Sequence, residues 1–293
     1  LLFTGPIALF VTKISHKSFR KRFRYFFPFI VIGIFYFQIV GAPLTRYLYL
    51  IDRTDLVSSL IFAMIFELFV YSNFCGLSLL VYGIFGIAGY KIPLNFKQPF
   101  TSTNVLDFWK GWHTSLSAVL KKLFYTPLRS YLGWFGAIFA VYLASAMWHG
   151  VTLNFLIWGI FHASIYYISL MILRSKCIAK SFVTGILLIA AVVLGRLVFA
   201  DSNISRLIEK LNFNFEGLHV FGDILDAPKT SILAIVIGLS LVSIEVFFRK
   251  NSYVQKRTYK YLRLPVSQFL LIGIFFLLAE DIGGGAYAVY GQR

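Results

Sequence analysis

Apolar residues fill this chain in long blocks, separated by short polar or basic stretches. The first block covers about 26–51 and contains Gly41 and Pro43, which predict a kink near its far end. The second, 56–90, is too long for one straight span and carries Gly76, Gly83, Gly86 and Gly89 in its second half. That pattern predicts a tilted span followed by a broken or re-entrant segment. The prolines and asparagine of 91–100 (KIPLNFKQPF) mark a loop. From Val105 the pattern turns amphipathic. Phe108, Trp109, Trp112, Leu116, Val119, Leu120 and Leu123 recur at helical spacing, with Lys110, His113, Ser117 and Lys121 on the other face. Such a helix is expected to lie at a membrane interface rather than cross it, ending at Pro127. Further apolar blocks at 132–147, 154–173, 182–200, 231–248 and 266–279 predict spans.

Composition turns this pattern into a fold class. Hydrophobic residues make up 58% of the 293 and charged residues only 14%, against about 25% charged in a soluble domain. Several blocks approach the roughly 20 residues that cross a bilayer as helix. Backbone groups in lipid must be satisfied internally, and the ten-residue alternation of a barrel is missing. The chain therefore reads as all-α: a polytopic transmembrane helical bundle with re-entrant or interfacial helices, one domain over 1–293. It begins at Leu1 without a methionine, and an N-terminally truncated piece is expected. Cys75 and Cys177 have no ligand spacing and read as ordinary thiols in apolar surroundings.

Charge sets the orientation. The net charge of +16, from 28 basic and 12 acidic residues, would suggest nucleic acid for a soluble protein. In a membrane protein it reads as basic cytoplasmic loops, and no nucleic-acid partner is expected. With the basic patch 13–24 in the cytoplasm and one crossing per span, 91–129, 174–180 and 249–263 also fall inside. The loop 52–55, the turn 149–153 and the acidic connection 201–229 fall outside. All basic loops share one side, as expected of a multi-pass protein of the cell's inner membrane. The lipid bilayer is its first partner.

Candidate chemistry concentrates in 108–162, which holds all five tryptophans and three of the five histidines, His113, His149 and His162. His113 and His149 each follow a tryptophan, Trp112 and Trp148. Ionisable groups in membrane segments usually face a cavity or a partner. Against that stand plainer readings: His149 as an interfacial histidine beside a belt tryptophan, His113 as a solvated structural residue, and His162 as a helix–helix hydrogen bond rather than a site wall. Glu67 and Glu245 are the other buried ionisable residues, each able to pair with an arginine such as Arg46 or Arg196. Asp107 is expected to cap its helix or pair with Lys110. Thirty-six residues separate His113 from His149 with no HxxxH, so no metal site is expected. A serine-hydrolase elbow and a phosphate-binding P-loop are both missing.

Several stretches together resemble the membrane-bound O-acyltransferase (MBOAT) family, in its branch of alginate and cellulose O-acetyltransferases and teichoic acid D-alanyl transfer proteins. They are Gly5-Pro6-Ile7, the Gly-rich 71–100 leading to Asn95-Phe96, DFWKGWHTSLSAVLKKLFYTPL (107–128), SAMWHGVTLNFLIWGIFHA (145–163) and VFADSNISRL (198–207). The sequence departs from the family pattern at Leu128-Arg129-Ser130, where Leu-Gly-Gly is usual, and at Phe199-Ala200, where the family's turn reads Phe-Arg-Ala.

The resemblance implies transfer of an acyl group to a hydroxyl. His149 falls on the family's catalytic histidine and His113 on its second. Trp112 and Trp148 are then expected to shape and dry the site, Ser145 to orient the His149 ring, and Lys110 with His113 to hold the donor. Asn95 and His162 complete the expected binding residues. No permanently bound cofactor is implied, only acetyl-CoA or another acyl thioester as donor substrate. An extracytoplasmic polysaccharide, reached directly or through a partner acetyltransferase, is the implied acceptor. D-alanyl transfer to teichoic acid is the nearest rival. A non-catalytic scaffold or transporter subunit is the reading from another class.

Overall fold

A computed structural model describes residues 18–50, 56–175, 180–200 and 229–249, with isolated positions at 12–13, 205, 208, 265, 268–269 and 271–274. The loop 52–55, Cys177, most of the acidic connection, the basic stretch 250–264 and most of the last expected span lie outside the described residues. Nearly all of the rest is helix. The two strands, β1 (Thr12–Lys13) and β2 (Tyr90–Lys91), pair antiparallel over two residues each. Among the described residues six helical runs are long and apolar enough to cross a membrane: Phe19–Thr45, Leu56–Ala88, Thr114–His149, Leu153–Arg174, Ser181–Ala200 and Lys229–Phe247. The protein is an all-α, multi-pass membrane protein.

Two compact units divide the chain. One takes the described residues within Leu1–Leu50, Leu68–Thr101 and Ala227–Val289, the other those within Ile51–Glu67 and Ser102–Asp226.

In the first unit, α1 (Phe19–Ile34) runs through a π-helical stretch, Phe35–Gly41, into α2 (Ala42–Leu50). The feature expected as a kink at Gly41 and Pro43 is thus a widened turn that ends at Gly41. The expected break in 56–90 does not occur: α3 is one continuous helix of 33 residues, Leu56–Ala88, counted in the second unit up to Glu67 and in the first from Leu68. Its glycines serve packing instead. A Cβ on Gly76 would stand 2.7 Å from the Gly33 carbonyl oxygen of α1, and a Cβ on Gly33 2.6 Å from that of Gly76. Gly83 and Gly86 leave room for Ile30 and Phe26 in the same way. Small residues let two apolar helices approach to backbone contact where no hydrophobic driving force between them exists. Gly89, at φ +98°, ends the helix. The last helix of this unit, α9 (Lys229–Arg249), is tied on by Ser231, whose hydroxyl donates to the Pro43 carbonyl at 2.9 Å. Glu245 of α9 accepts from Tyr71 at 2.9 Å and from Tyr36 at 3.2 Å.

In the second unit, the amphipathic helix expected to run unbroken to Pro127 is in fact split. α4 (Val105–Gly111) stops at Trp112, which is extended, and His113 adopts a left-handed conformation at φ 43°, ψ 57°. α5 (Thr114–Leu120) starts there and passes through a π-helical stretch, Lys121–Tyr125, into α6 (Thr126–His149). Pro127 does not end a helix. It sits in the first turn of α6, directly after the π-helical stretch. The whole run Thr114–His149 has 36 residues and is broken at Gly133, whose φ of 64° and ψ of −168° are not helical. α7 (Leu153–Arg174) and α8 (Lys180–Ala200) complete the unit. Gly159 lets α7 close on α6, a Cβ there standing 3.0 Å from Ala146 Cβ. On α8, a Cβ at Gly195 would overlap the His162 ring. These two glycines bring three helices together around His149 and His162.

Candidate active site

His149 is the last residue of α6, and Gly150 follows as its C-cap. Its half-buried ring stands in a basket of aromatic rings: Trp148 at 4.7 Å between centroids, Phe199 at 4.9 Å, Trp158 at 5.5 Å and Phe155 at 5.9 Å. Three elements supply them: α6 gives Trp148, α7 gives Phe155 and Trp158, and α8 gives Phe199. The turn between α6 and α7 is fixed from within. Thr152 Oγ1 lies 2.6 Å from Asn154 Oδ1, and the buried Asn154 donates through Nδ2 to the carbonyls of Val198 and Phe199, each at 3.4 Å. This tie holds the end of α8, and with it Phe199, against the His149 ring.

His113 reaches the same place from the other side of the sequence. Expected on a solvated helix face, it is buried at 6% exposure. The difference follows from the break after α4: a left-handed residue redirects its side chain away from the face an unbroken helix would give it. Histidine is among the few residue types that tolerate this conformation. Its Nδ1 caps α5, accepting from the Leu116 amide at 3.4 Å. Its ring stands edge-on to Trp148, 6.0 Å between centroids. The two histidines therefore share Trp148 as a common neighbour.

His162 lies deeper, on the middle of α7. Trp158 (4.6 Å), Trp109 (5.2 Å) and Phe161 (5.4 Å) surround it, with Tyr142 stacked at 6.2 Å. Its Nδ1 and the Trp109 Nε1 are buried without hydrogen-bond partners among the described residues. Trp112 stacks on Phe108 at 5.4 Å. Ser145 is buried on α6 one turn before His149. Lys110 is exposed and paired with Asp107 at 2.9 Å, the pairing expected of that acid, while Asp107 is held by the Asn104 cap. Asn95 is buried in the 91–101 stretch of the first unit.

Sequence reasoning did not place Arg196, Phe155 or Phe199 in this region. Arg196 of α8 pairs through Nε with Glu67 of α3, one of the arginine pairings expected for that acid. Its guanidinium carbon lies 5.1 Å from the Trp112 ring and 5.5 Å from that of Phe199. The available signal was its isolation, since between Ser181 and Ala200 it is the one charged residue.

Comparison with known proteins gives the family. The model of the membrane-bound O-acyltransferase family, MBOAT, matches residues 2–198. A teichoic acid D-alanyltransferase of Bacillus subtilis is 27% identical over 149 residues, 46% of this chain and 38% of the relative. A probable alginate O-acetylase AlgI of Azotobacter vinelandii is 26% identical over 229 residues, 74% of this chain and 45% of the relative. A peptidoglycan O-acetyltransferase of Helicobacter pylori is 35% identical over 98 residues, 32% of this chain and 18% of the relative. The chain thus spans less than half the length of each of these relatives. The family match takes in both Trp-His pairs with Phe155 and Trp158 and stops one residue short of Phe199, and the chain belongs to the membrane-bound O-acyltransferase family.

Proposed function

We propose that this protein transfers an acyl group, acetyl in the first instance, from a cytoplasmic thioester to a hydroxyl of an extracytoplasmic polysaccharide, with His149 as the base. The observation that carries the reading is the shared Trp148: histidines from two segments 36 residues apart converge on one indole within a ring-lined region. Imidazole, with an ordinary pKa of about 6.5, suits both halves of such a transfer. His149 would take the hydroxyl proton as the oxygen attacks the acyl carbonyl, then return it to the leaving thiolate. Trp148, Phe155, Trp158 and Phe199 would keep water from the acyl carbon.

Acetyl transfer is favoured by the likeness to the probable alginate O-acetylase, which extends over three quarters of this chain. D-alanyl transfer is the second reading, favoured by the Bacillus subtilis relative. A donor substrate such as acetyl-CoA, a polysaccharide or an extracytoplasmic partner acetyltransferase, and placement in the inner membrane with the basic loops facing the cytoplasm all belong to this proposal.

The purified protein is expected to release thiol from acetyl-CoA in the presence of acceptor, and His149→Ala to abolish release while eluting as a folded protein in detergent. Full transfer by that variant refutes the assignment. His113→Ala is expected to lower donor turnover and acceptor labelling together. Its loss is smaller than that of His149→Ala, because another group can hold the donor. Labelled D-alanyl carrier protein in place of acetyl-CoA separates the two acyl groups.

A further inference from the structure

A buried ion pair inside apolar helices needs a reason. Glu67 and Arg196 both lie within membrane-crossing runs, their side chains 6% and 10% exposed. Such a pair is weak evidence for stability, because apolar residues of similar volume generally serve the fold as well or better. One neutral explanation is a tie between α3 and α8. The surroundings point elsewhere. Only the Nε edge of Arg196 is engaged by Glu67, and among the described residues the guanidinium has no other hydrogen-bond partner. The rest of that planar group, which carries four further N–H donors, lies by the rings of Trp112 and Phe199. Phe199 is itself against His149. The buried indole N–H of Trp109, without a partner, lies in the same layer, 6.1 Å from Trp158 between ring centroids. Donors left over beside a candidate base are what a developing negative oxygen requires.

We infer that Arg196, oriented by Glu67 and held between Trp112 and Phe199, binds the carbonyl oxygen of the acyl group during transfer and stabilises the oxyanion that forms there. This rests on the acyl-transfer reading above. In the step, the acceptor oxygen forms a bond to the acyl carbon while the C=O π pair moves onto oxygen, and His149 takes the hydroxyl proton. The pair then returns, the C–S bond breaks, and the thiolate leaves with that proton. Negative charge appears on the carbonyl oxygen only between these events. A fixed cation there lowers the barrier without tightening ground-state binding, and removal of one such donor costs about 100-fold or more in kcat.

The decisive variant is the double replacement Glu67→Leu with Arg196→Met, which removes both charges and leaves none unpaired. It is expected to fold, since apolar replacement of a whole buried pair is tolerated. Its kcat should fall by about 100-fold, with the donor KM within about threefold of wild type. Arg196→Lys keeps the charge opposite Glu67 and withdraws the planar fork. It should fold and lose about tenfold in kcat. Wild-type kcat in a folded double variant shows a structural tie and overturns the inference. A raised KM at unchanged kcat also overturns it, since it would mark ground-state binding alone. If neither variant folds, the pair serves the fold and the inference falls. Thiol release is measured with acetyl-CoA and with D-alanyl carrier protein, and whichever the wild type uses is carried through the series. Use of neither, or turnover surviving His149→Ala, sinks the acyl-transfer reading itself. Loss with His149→Ala but not with the Glu67→Leu, Arg196→Met double variant removes only the role of Arg196.

Discussion

Among the described residues, two glutamates lie within apolar helices, one in each compact unit, and they are satisfied by opposite means. Glu245 in the first unit accepts from two tyrosine hydroxyls, Tyr71 and Tyr36. The rings of those tyrosines meet edge-on at 5.9 Å, and Tyr71 is braced by Phe96 and Phe100. Glu67 in the second unit faces the charge of Arg196, with one carboxylate oxygen, Oε1, buried without a hydrogen-bond partner. A carboxyl held by neutral donors can lose its charge without leaving another stranded, so it suits a fixed joint. A carboxylate held by a guanidinium cannot. The first arrangement fits a unit built largely on glycine-mediated helix packing, the second a unit that gathers histidines and indoles.

That difference gives an ordered set of stability predictions. The largest effect is expected from Glu67→Leu alone. It strands the Arg196 charge, and breaking a buried pair on one side costs about 3–5 kcal/mol, so the variant should lose most of its folded yield in detergent. Glu245→Leu strands no charge: it withdraws one acceptor from the hydroxyls of Tyr71 and Tyr36, at about 0.5–1.5 kcal/mol per hydrogen bond, and is expected to cost less. Thermal unfolding followed by tryptophan fluorescence reads both. If the Glu245 variant is the less stable of the two, the contrast between charged and neutral satisfaction is wrong.

How far the sequence announced these features depends on what each rests upon. The spans were legible because apolar block length and loop charge are properties of composition, and six of them stand where blocks were read. The continuity of α3 was not, because Gly76, Gly83 and Gly86 carry the same letters whether they break a helix or seat another against it. Their meaning came from Gly33, Ile30 and Phe26, more than forty residues away. The break between α4 and α5 escaped for a different reason. Hydrophobic spacing runs through Trp112 and His113 undisturbed, and only the backbone conformation of His113 reveals that the period restarts. That one residue separates a solvated His113 from the buried one observed. The candidate site was legible where motif and chemistry coincide, at His113, His149 and their tryptophans. Phe199 and Arg196 entered it only through the packing of α8 on α7, which Gly195 and Asn154 set.

The smallest effect tests the neutral joint from inside. Tyr71 donates to Glu245 at 2.9 Å and Tyr36 at 3.2 Å, so the two hydroxyls are not equivalent. Interhelical hydrogen bonds in membranes average about 0.6 kcal/mol and reach about 1.7. Tyr71→Phe is expected near the upper value, because it removes the shorter bond and the one whose hydroxyl also contacts the second carboxylate oxygen at 3.1 Å. Tyr36→Phe is expected near the average. The double variant should lose more than the sum of the two. Either hydroxyl alone still solvates the carboxylate, and removing both leaves Glu245 with no hydrogen-bond donor among the described residues. Acyl transfer, if measured alongside, should keep its kcat in both single variants, since neither tyrosine belongs to the histidine region. Exact additivity would show that each hydroxyl acts independently and that the carboxylate finds other solvation, leaving Glu245 no more than a tolerated polar residue in a helix packed by glycine.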